Sequence, residues 1–260
     1  MNVSGPQRVL PVLVLAGVVS VWAAGAAVLP PVLLPGPGDV LGAILADPVK
    51  LLGAAVRTGA CALAGLGIGA LTGAGLGVGF LWSRNLELAV YPYALLLQTL
   101  PVVAVAPLLV VWLGYGAPVA VASAALVSFF PLLTAAHVGL LGVDTEQVEL
   151  FALYGAGRWQ ELRWLRLPAA APAAFAGLRT AAGLSVIGAI VGEFVGSNGD
   201  PPSIGYLVLR SARSADTALT FAAVASAAVL AGLIYGLVRV AEAAVLGPYH
   251  PSLRPRRRGP

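Results

Sequence analysis

Long uninterrupted runs of apolar residues dominate the sequence and restrict the folds that the chain can adopt. Hydrophobic residues make up 59% of its 260 residues and charged residues only 10%, whereas about 25% of a typical soluble domain is charged. A run of about 20 apolar residues can cross the hydrocarbon layer of a membrane as a helix. The runs predict an all-α membrane protein with six transmembrane helices, at about 9–29, 58–82, 88–113, 118–141, 175–195 and 217–246.

The first run has an alternative interpretation as a cleaved secretory signal peptide. Arg8 would be its basic flank, and the small residues at 23–26 would be a cleavage site. The apolar part of a signal peptide is about 7–15 residues long, and this run is longer. We therefore favour a transmembrane helix that is retained.

The second run contains a series of glycines that favours helix packing over phosphate binding. Small residues at every fourth position let transmembrane helices approach closely, and this register is occupied by Gly65, Gly69, Gly73 and Gly77. A phosphate-binding loop would lie between a strand and a helix and would contain Gly-Lys-Ser/Thr. The only lysine is Lys50, and that tripeptide does not occur. This chain therefore cannot hydrolyse ATP by a P-loop mechanism on its own.

One charged segment lies between two apolar runs and predicts contact with water or a soluble partner. Charged side chains are costly at membrane depth, and residues 149–168 contain Glu149, Arg158, Glu161, Arg163 and Arg166. Asp144 and Gln147 approximate the capping box of a short helix. Gly155 and Gly157 would end that helix, because glycine adopts the left-handed conformation that closes a helix C-terminus. A second short helix is expected before Pro168.

The spacing within this segment resembles the cytoplasmic coupling loop of binding-protein-dependent ABC importer permeases. That loop reads Glu-Ala-Ala, three residues, Gly, nine residues, Ile-x-Leu-Pro. This chain keeps four of these residues and has leucine in place of isoleucine, as Glu149, Gly155, Leu165, Leu167 and Pro168. It departs from the pattern at Leu150 and Phe151, where two alanines are usual. The larger side chains change the surface that the loop presents to a partner.

Shorter stretches resemble the nitrate, sulfonate and taurine permeases of the same family. They are Trp112-Leu-Gly114-Tyr-Gly116, Gly177-Leu-Arg179, Ile187-Gly188, Glu193-Phe194 and Ile204-Gly205-Tyr206-Leu207. The resemblance covers roughly residues 35–245. It implies the six-helix type I ABC importer permease fold, as a single transmembrane domain over 1–260 with a cytoplasmic coupling loop at 142–174.

The resemblance also implies a transport subunit of the bacterial inner membrane, which is not an enzyme because a separate subunit hydrolyses ATP. The solute would be a nitrate-, sulfonate- or taurine-like anion or a related small organic compound; the alternatives are a thiamine-precursor pyrimidine or other small heterocycle, or a secondary transporter or channel. Implied partners are two ABC ATPase subunits, a second permease copy, a solute-binding protein and the lipid bilayer, without a cofactor or nucleic acid. The implied ATPase-coupling residues are Glu149, Gly155, Arg158, Leu165, Leu167 and Pro168.

The distribution of basic residues predicts the orientation in the membrane. With both termini in the cytoplasm, the inner side receives eleven arginines: Arg8, Arg84, Arg158, Arg163, Arg166, Arg179, Arg239, Arg254, Arg256, Arg257 and Arg258. The outer side receives four basic residues, namely Lys50, Arg57, Arg210 and Arg213. Basic residues are enriched in cytoplasmic loops, so this orientation is favoured and places the charged segment in the cytoplasm.

A few polar residues and prolines in the apolar runs remain as candidates for sites within the membrane. Pro101, Pro107 and Glu193 are possible gate or pathway residues. Ser185 and His137 would suit an intramembrane serine protease only if the two side chains were within hydrogen-bond reach. The single Cys61 excludes an internal disulfide and a site with several cysteine ligands, and we predict no metal site.

Overall fold

A computed structural model describes residues 5–198 and 202–247, and for residues 5–8 and 11 it describes the backbone alone. The described residues form helices and no strands, which confirms the predicted all-α class. The helices are α1 Gly5–Val28, α2 Pro37–Ala46, α3 Pro48–Trp82, α4 Arg84–Leu97, α5 Val102–Leu113, α6 Ala117–Leu141, α7 Thr145–Leu153, α8 Arg158–Glu161, α9 Leu167–Gly196, α10 Ile204–Arg213 and α11 Thr217–Leu246. A π-helical turn, Leu162–Arg166, joins α8 to α9.

Helix α6 lies between α3 and α9, and glycines bring the backbones of these three helices together. A Cβ atom added at Gly65 of α3 would lie 2.4 Å from the Cβ of Ala124 on α6. One turn away on α6, a Cβ added at Gly192 of α9 would lie 2.6 Å from the Cα of Ala120. All four glycines of the predicted register contact α6: Gly65, Gly69, Gly73 and Gly77. The interpretation of this series as a packing surface is confirmed.

The number of long apolar helices differs from the predicted six. Within the described residues, α3, α6, α11 and the continuous segment Arg158–Gly196 are long and apolar enough to cross a membrane. Helices α4 and α5 qualify only as a bent pair, which gives four spans or five. The predicted first span corresponds to α1, in which Val12–Val28 is a shorter apolar helix. The chain is a multi-pass membrane protein, but the count of six is not confirmed.

The predicted third span, 88–113, is not one helix. Helix α4 ends at Leu97, α5 begins at Val102, and the two are bent by 106°. Pro92 and Pro107 lie inside helices, so only Pro101 coincides with the break. Proline lacks an N–H donor and disfavours the helical conformation of the residue before it, so a break at Pro101 leaves fewer backbone groups without partners.

Two helices extend beyond the predicted spans by several residues. Helix α3 begins at Pro48 and not at 58, because Asp47 caps it by accepting the N–H of Lys50 at 3.0 Å. Helix α9 begins at Leu167 and not at 175, since the π-helical turn leads directly into it. Pro168 lies just after the π-helical turn and has no N–H to donate to it. Residues 167–174 of the predicted loop therefore belong to the first turns of α9.

Contacts between the helices define two ends of the bundle. At the coupling end, α6 leads into α7, and Trp82 at the end of α3 packs against Trp159 of α8. At the far end, the N–H of Gly116, just before α6, donates to the carbonyl of Gly196, where α9 ends, at 2.6 Å. Helix α11 runs antiparallel to α9 and is tied to it by an ion pair between Glu242 and Arg179.

We expect Gly73→Ala to lower the apparent Tm of the purified chain and Gly75→Ala to leave it unchanged or raise it. A Cβ at Gly73 would lie 2.9 Å from the backbone nitrogen of Leu133, whereas a Cβ at Gly75 meets no atom within 4 Å. Overpacking costs about 1–3 kcal/mol, while alanine is otherwise favoured over glycine in a helix by about 0.5–1 kcal/mol. Thermal unfolding in detergent measures the difference, and equal Tm changes would contradict the packing of α3 on α6.

Candidate functional site

The charged segment at the coupling end is two short helices with a glycine between them, as the sequence predicts. Helix α7 ends at Leu153, and Gly155 has a φ of +72°, in the left-handed region that favours glycine. Gly157 has a different role from the predicted one: it is the N-cap of α8, and its N–H donates to Oε1 of Gln160 at 2.8 Å. Asp144 precedes α7 but its side chain caps no N–H, so the predicted capping box is wrong.

An apolar groove lies on the exposed surface of this segment. It has a volume of about 450 Å³ and is lined by Leu150, Phe151, Tyr154, Ala156, Gln160 and Trp164. Leu153 and Tyr154 are 84% and 85% exposed beside it. Contiguous exposed apolar surface on a segment outside the apolar spans is typical of a protein–protein contact site.

The segment is fastened to the bundle by one arginine and one aromatic contact. Arg166 donates from Nε to Oε1 of Glu161 at 2.6 Å and from its guanidinium to the carbonyl of Leu140 at 2.8 Å. This carbonyl belongs to the last turn of α6, where it lacks a partner within the helix. The indole rings of Trp82 and Trp159 are 4.9 Å apart in an edge-on arrangement. The groove is therefore linked to both α3 and α6.

The structure brings most of the predicted coupling residues onto this one segment. Glu149 on α7 and Arg158 on α8 are exposed, and neither forms an ion pair with another described residue. Leu165 is half-buried in the π-helical turn, and Leu167 and Pro168 begin α9. The anchoring role of Arg166 was missed from the sequence, because its partner is a backbone carbonyl 26 positions away.

Glu193 lies at the far end, buried among three helices. Its side chain is on α9 and only 5% exposed. Thr58 of α3 donates its hydroxyl to Oε1 at 2.8 Å, and the N–H of Gly205 on α10 donates to Oε2 at 2.8 Å. The Thr58 hydroxyl also accepts the N–H of Ile204 at 3.0 Å. The two side chains thus cap the N-terminus of α10 and join it to α3 and α9.

The three residues predicted as gate or pathway residues do not lie in one site. A cavity of about 360 Å³ beside Glu193 is also lined by Arg57, Cys61 and Asn198. The residues on either side of Pro101 line a different cavity, also of about 360 Å³, together with Pro131 and Leu184. Pro107 lies within α5. The break in the third span and the buried carboxylate are therefore separate features.

His137 and Ser185 are not partners, which argues against the intramembrane protease. The Ser185 hydroxyl donates to the carbonyl of Ala182, on its own helix, at 2.9 Å. His137 of α6 forms a 3.0 Å hydrogen bond from Nε2 to Glu87, and its ring stacks on Tyr91 with centroids 4.0 Å apart. Because Glu87 and Tyr91 both lie on α4, His137 fixes α4 against α6. No local pattern in the sequence indicates this pairing across 50 positions.

Comparison with known proteins assigns most of the chain to one family. Residues 65–246 match the family described as "Binding-protein-dependent transport system inner membrane component". The riboflavin transport system permease protein of Chloroflexus aurantiacus is 38% identical over 159 residues, which are 61% of this chain and 58% of that protein. The formylaminopyrimidine transport permease protein of Halalkalibacterium halodurans is 33% identical over 178 residues, 68% of this chain and 70% of that protein.

A third relative has a different named solute. The putative aliphatic sulfonates transport permease protein of Bacillus subtilis is 29% identical over 184 residues, which are 71% of this chain and 64% of that protein. The family match covers more than half of the chain and includes α6, the groove, the π-helical turn and Glu193. The chain therefore belongs to the family of binding-protein-dependent transport system inner membrane components.

Proposed function

We propose that this chain is the transmembrane permease subunit of an ATP-driven ABC importer. The observation that supports this most directly is the exposed apolar groove at the coupling end, on the segment whose residue spacing resembles the family's coupling loop. The groove has the character of a docking site for a soluble protein. The chain itself is not an enzyme in this proposal, and a separate ATPase subunit hydrolyses ATP.

The proposed assembly contains two copies of the permease, two ATPase subunits and a solute-binding protein. Each ATPase docks on one groove, with Glu149 and Arg158 available to its charged side chains because both are exposed. The permease lies in the inner membrane as a single domain, with both termini in the cytoplasm. That orientation is supported by the excess of arginine at the coupling end.

Movement of the docked segment would reach the membrane through the contacts of Arg166 and Trp159. Arg166 holds the last turn of α6, and Trp159 holds the end of α3. Since α3, α6 and α9 are in backbone contact, they move as one body. Rigid-body motion of this kind suits alternating access, and the break at Pro101 is where α5 can change its angle to α4.

For the solute we propose a small organic compound, with an alkanesulfonate-like anion as the first candidate. The resemblance to sulfonate and taurine permeases and the similarity to the aliphatic sulfonates permease support this choice. A small heterocycle is the second candidate, because the riboflavin and formylaminopyrimidine permeases have higher identities, 38% and 33%.

Gly155→Val should uncouple ATP hydrolysis from transport while the protein still inserts into the membrane. A β-branched residue at φ +72° is strained, by about 1–2 kcal/mol, so the groove would be displaced. Gly157→Ser is the matched control, because Gly157 has a φ of −74° and serine is a good N-cap. ATP-driven uptake and ATPase activity are measured in proteoliposomes that contain the ATPase subunits and the binding protein.

The same proteoliposomes test the function as a whole. Ethanesulfonate, taurine, riboflavin and formylaminopyrimidine are offered in turn, with and without ATP. Uptake that needs ATP and the binding protein supports the importer, and the solute that is taken up decides between the two candidates. Uptake without ATP would mean a secondary transporter or channel, and wild-type uptake by Gly155→Val would contradict the assignment of the coupling segment.

Single cysteines in a Cys61→Ser background test the orientation. Asn198→Cys lies at the far end and should react with a membrane-impermeant thiol reagent in intact cells. Gly157→Cys lies at the coupling end and should react only after the membrane is opened. The opposite labelling pattern would show that the charged segment faces outward and cannot contact a cytoplasmic ATPase.

We also propose that Glu193 acts as part of the gate at the far end by holding α10 in place. Both oxygens of its carboxylate accept hydrogen bonds, and no other described residue forms an ion pair with it. Its carboxylate is held by the N–H of Gly205 on α10 and by the hydroxyl of Thr58 on α3. Separation of α10 from both α3 and α9 would break the Ile204–Thr58 and Gly205–Glu193 hydrogen bonds together, so α10 could have an attached and a detached position.

Glu193→Gln and Thr58→Val should each speed hydrogen–deuterium exchange in α10, Ile204–Arg213. Loss of one buried hydrogen bond of about 1.4 kcal/mol raises local opening about tenfold. Ser185→Ala is the matched control, because its buried hydroxyl binds only the carbonyl of Ala182 on its own helix. Unchanged α10 exchange in the first two variants, measured by mass spectrometry, would show that the carboxylate does not hold this helix.

A further inference from the structure

A small polar cavity at the far end is separate from both the groove and Glu193. It has a volume of about 160 Å³ and lies where α10 turns into α11, against the first turn of α3. Its lining residues are Lys50, Leu207, Arg210, Ser211, Ser214, Asp216 and Leu219. Since one water molecule occupies about 30 Å³ in the liquid, the cavity has room for about five waters or one tetrahedral oxyanion.

The charges around this cavity favour an anion. Neither Lys50 nor Arg210 forms an ion pair or a side-chain hydrogen bond with any other described residue. The one carboxylate in the wall, Asp216, is occupied at Oδ1, which accepts the N–H of Leu219 at 3.1 Å and caps α11. Two cations therefore share a cavity with one capping carboxylate. Arginine and lysine donors of this kind bind phosphate.

Hydrogen bonds hold the wall of the cavity in place, and a strained residue lies in the turn beside it. Ser211 is buried and its hydroxyl lies 2.8 Å from that of Thr220, which fixes α10 against α11. Ala215, in the turn between them, has a φ of 54°, and it is the one non-glycine with positive φ among the described residues. The N–H of Asp216 donates to the carbonyl of Ser211 at 2.9 Å and holds this turn. Backbone strain that the surroundings maintain is typical of ligand sites.

Apolar side chains on the neighbouring helices indicate where the anion comes from. Val49, next to Lys50, is 79% exposed, and Leu45 of α2 and Leu52 of α3 are also exposed. In a multi-pass membrane protein, exposed aliphatic side chains beside a lysine are typical of the lipid–water boundary. We propose that the cavity binds the phosphate of a membrane phospholipid, whose acyl chains lie along these aliphatic side chains. This site is independent of the proposed transport function and of the orientation of the chain.

Native mass spectrometry of the full chain in an uncharged detergent tests the proposal, with phosphatidylglycerol as the probe. Lys50→Gln combined with Arg210→Gln should lower the retained phosphatidylglycerol about tenfold or more, and each single variant should give an intermediate loss. Arg57→Gln combined with Arg213→Gln is the matched control. It also removes two positive charges at the far end, but neither residue lines this cavity, so retention should stay at the wild-type level.

Further probes separate the possible ligands. Diacylglycerol, which has the acyl chains without the phosphate, should not be retained at this site. Equal retention of phosphatidylglycerol by the two double variants would overturn the proposal. Displacement of the lipid by inorganic phosphate alone would overturn the lipid as the source of the anion. If the Lys50/Arg210 variant keeps its lipid but loses stimulation by the binding protein, the cavity is a protein-docking site and the lipid proposal fails.

Discussion

The backbone contact of α3 and α9 with α6 is the interaction on which the rest of this structure depends. Inside a bilayer, the hydrophobic effect does not drive one apolar helix onto another, so helix association relies on close packing and hydrogen bonds. Glycines on α3 and α9 let α6 approach to distances at which a single added Cβ would overlap it. The same contacts leave little room for these helices to slide past each other, because packed interiors are close to full density.

A polar contact at each end of α3, α6 and α9 attaches a further helical segment to these three helices. At the coupling end, Arg166 binds a carbonyl that the last turn of α6 leaves without a partner, so the short helices cannot move without α6. At the far end, Glu193 accepts the N–H of Gly205, which the first turn of α10 leaves without a partner in the helix. Both contacts use the unpaired backbone groups of a helix terminus. Hydrogen bonds of this kind require a particular orientation of the helix terminus, and they are lost when the helix moves away.

The sequence predicted those features that depend on local pattern. Apolar length identified the membrane helices, the four-residue register of glycines identified the packing face of α3, and the glycine at 155 identified the left-handed turn. Features that depend on partners distant in sequence were missed, such as the pairing of His137 with Glu87 and the anchoring of Arg166 to Leu140. The break at Pro101 was also missed, since Pro92 and Pro107 have the same local chemistry and lie inside helices. Only the surroundings decide which proline ends a helix.

The departure from the family's loop pattern at Leu150 and Phe151 has a structural counterpart. Both side chains line the groove at the coupling end, where the pattern has two alanines. Larger side chains fill part of a groove, so a partner whose surface fits alanines would clash with them. A partner with smaller residues at the contact would instead gain buried apolar area, worth about 25 cal/mol per Å². Discrimination of this kind works by excluding the wrong partner as well as by binding the right one. In the proposed importer, the groove would therefore select among ATPase subunits by shape, and Arg166 and Trp159 behind it would keep the transmission of movement unchanged.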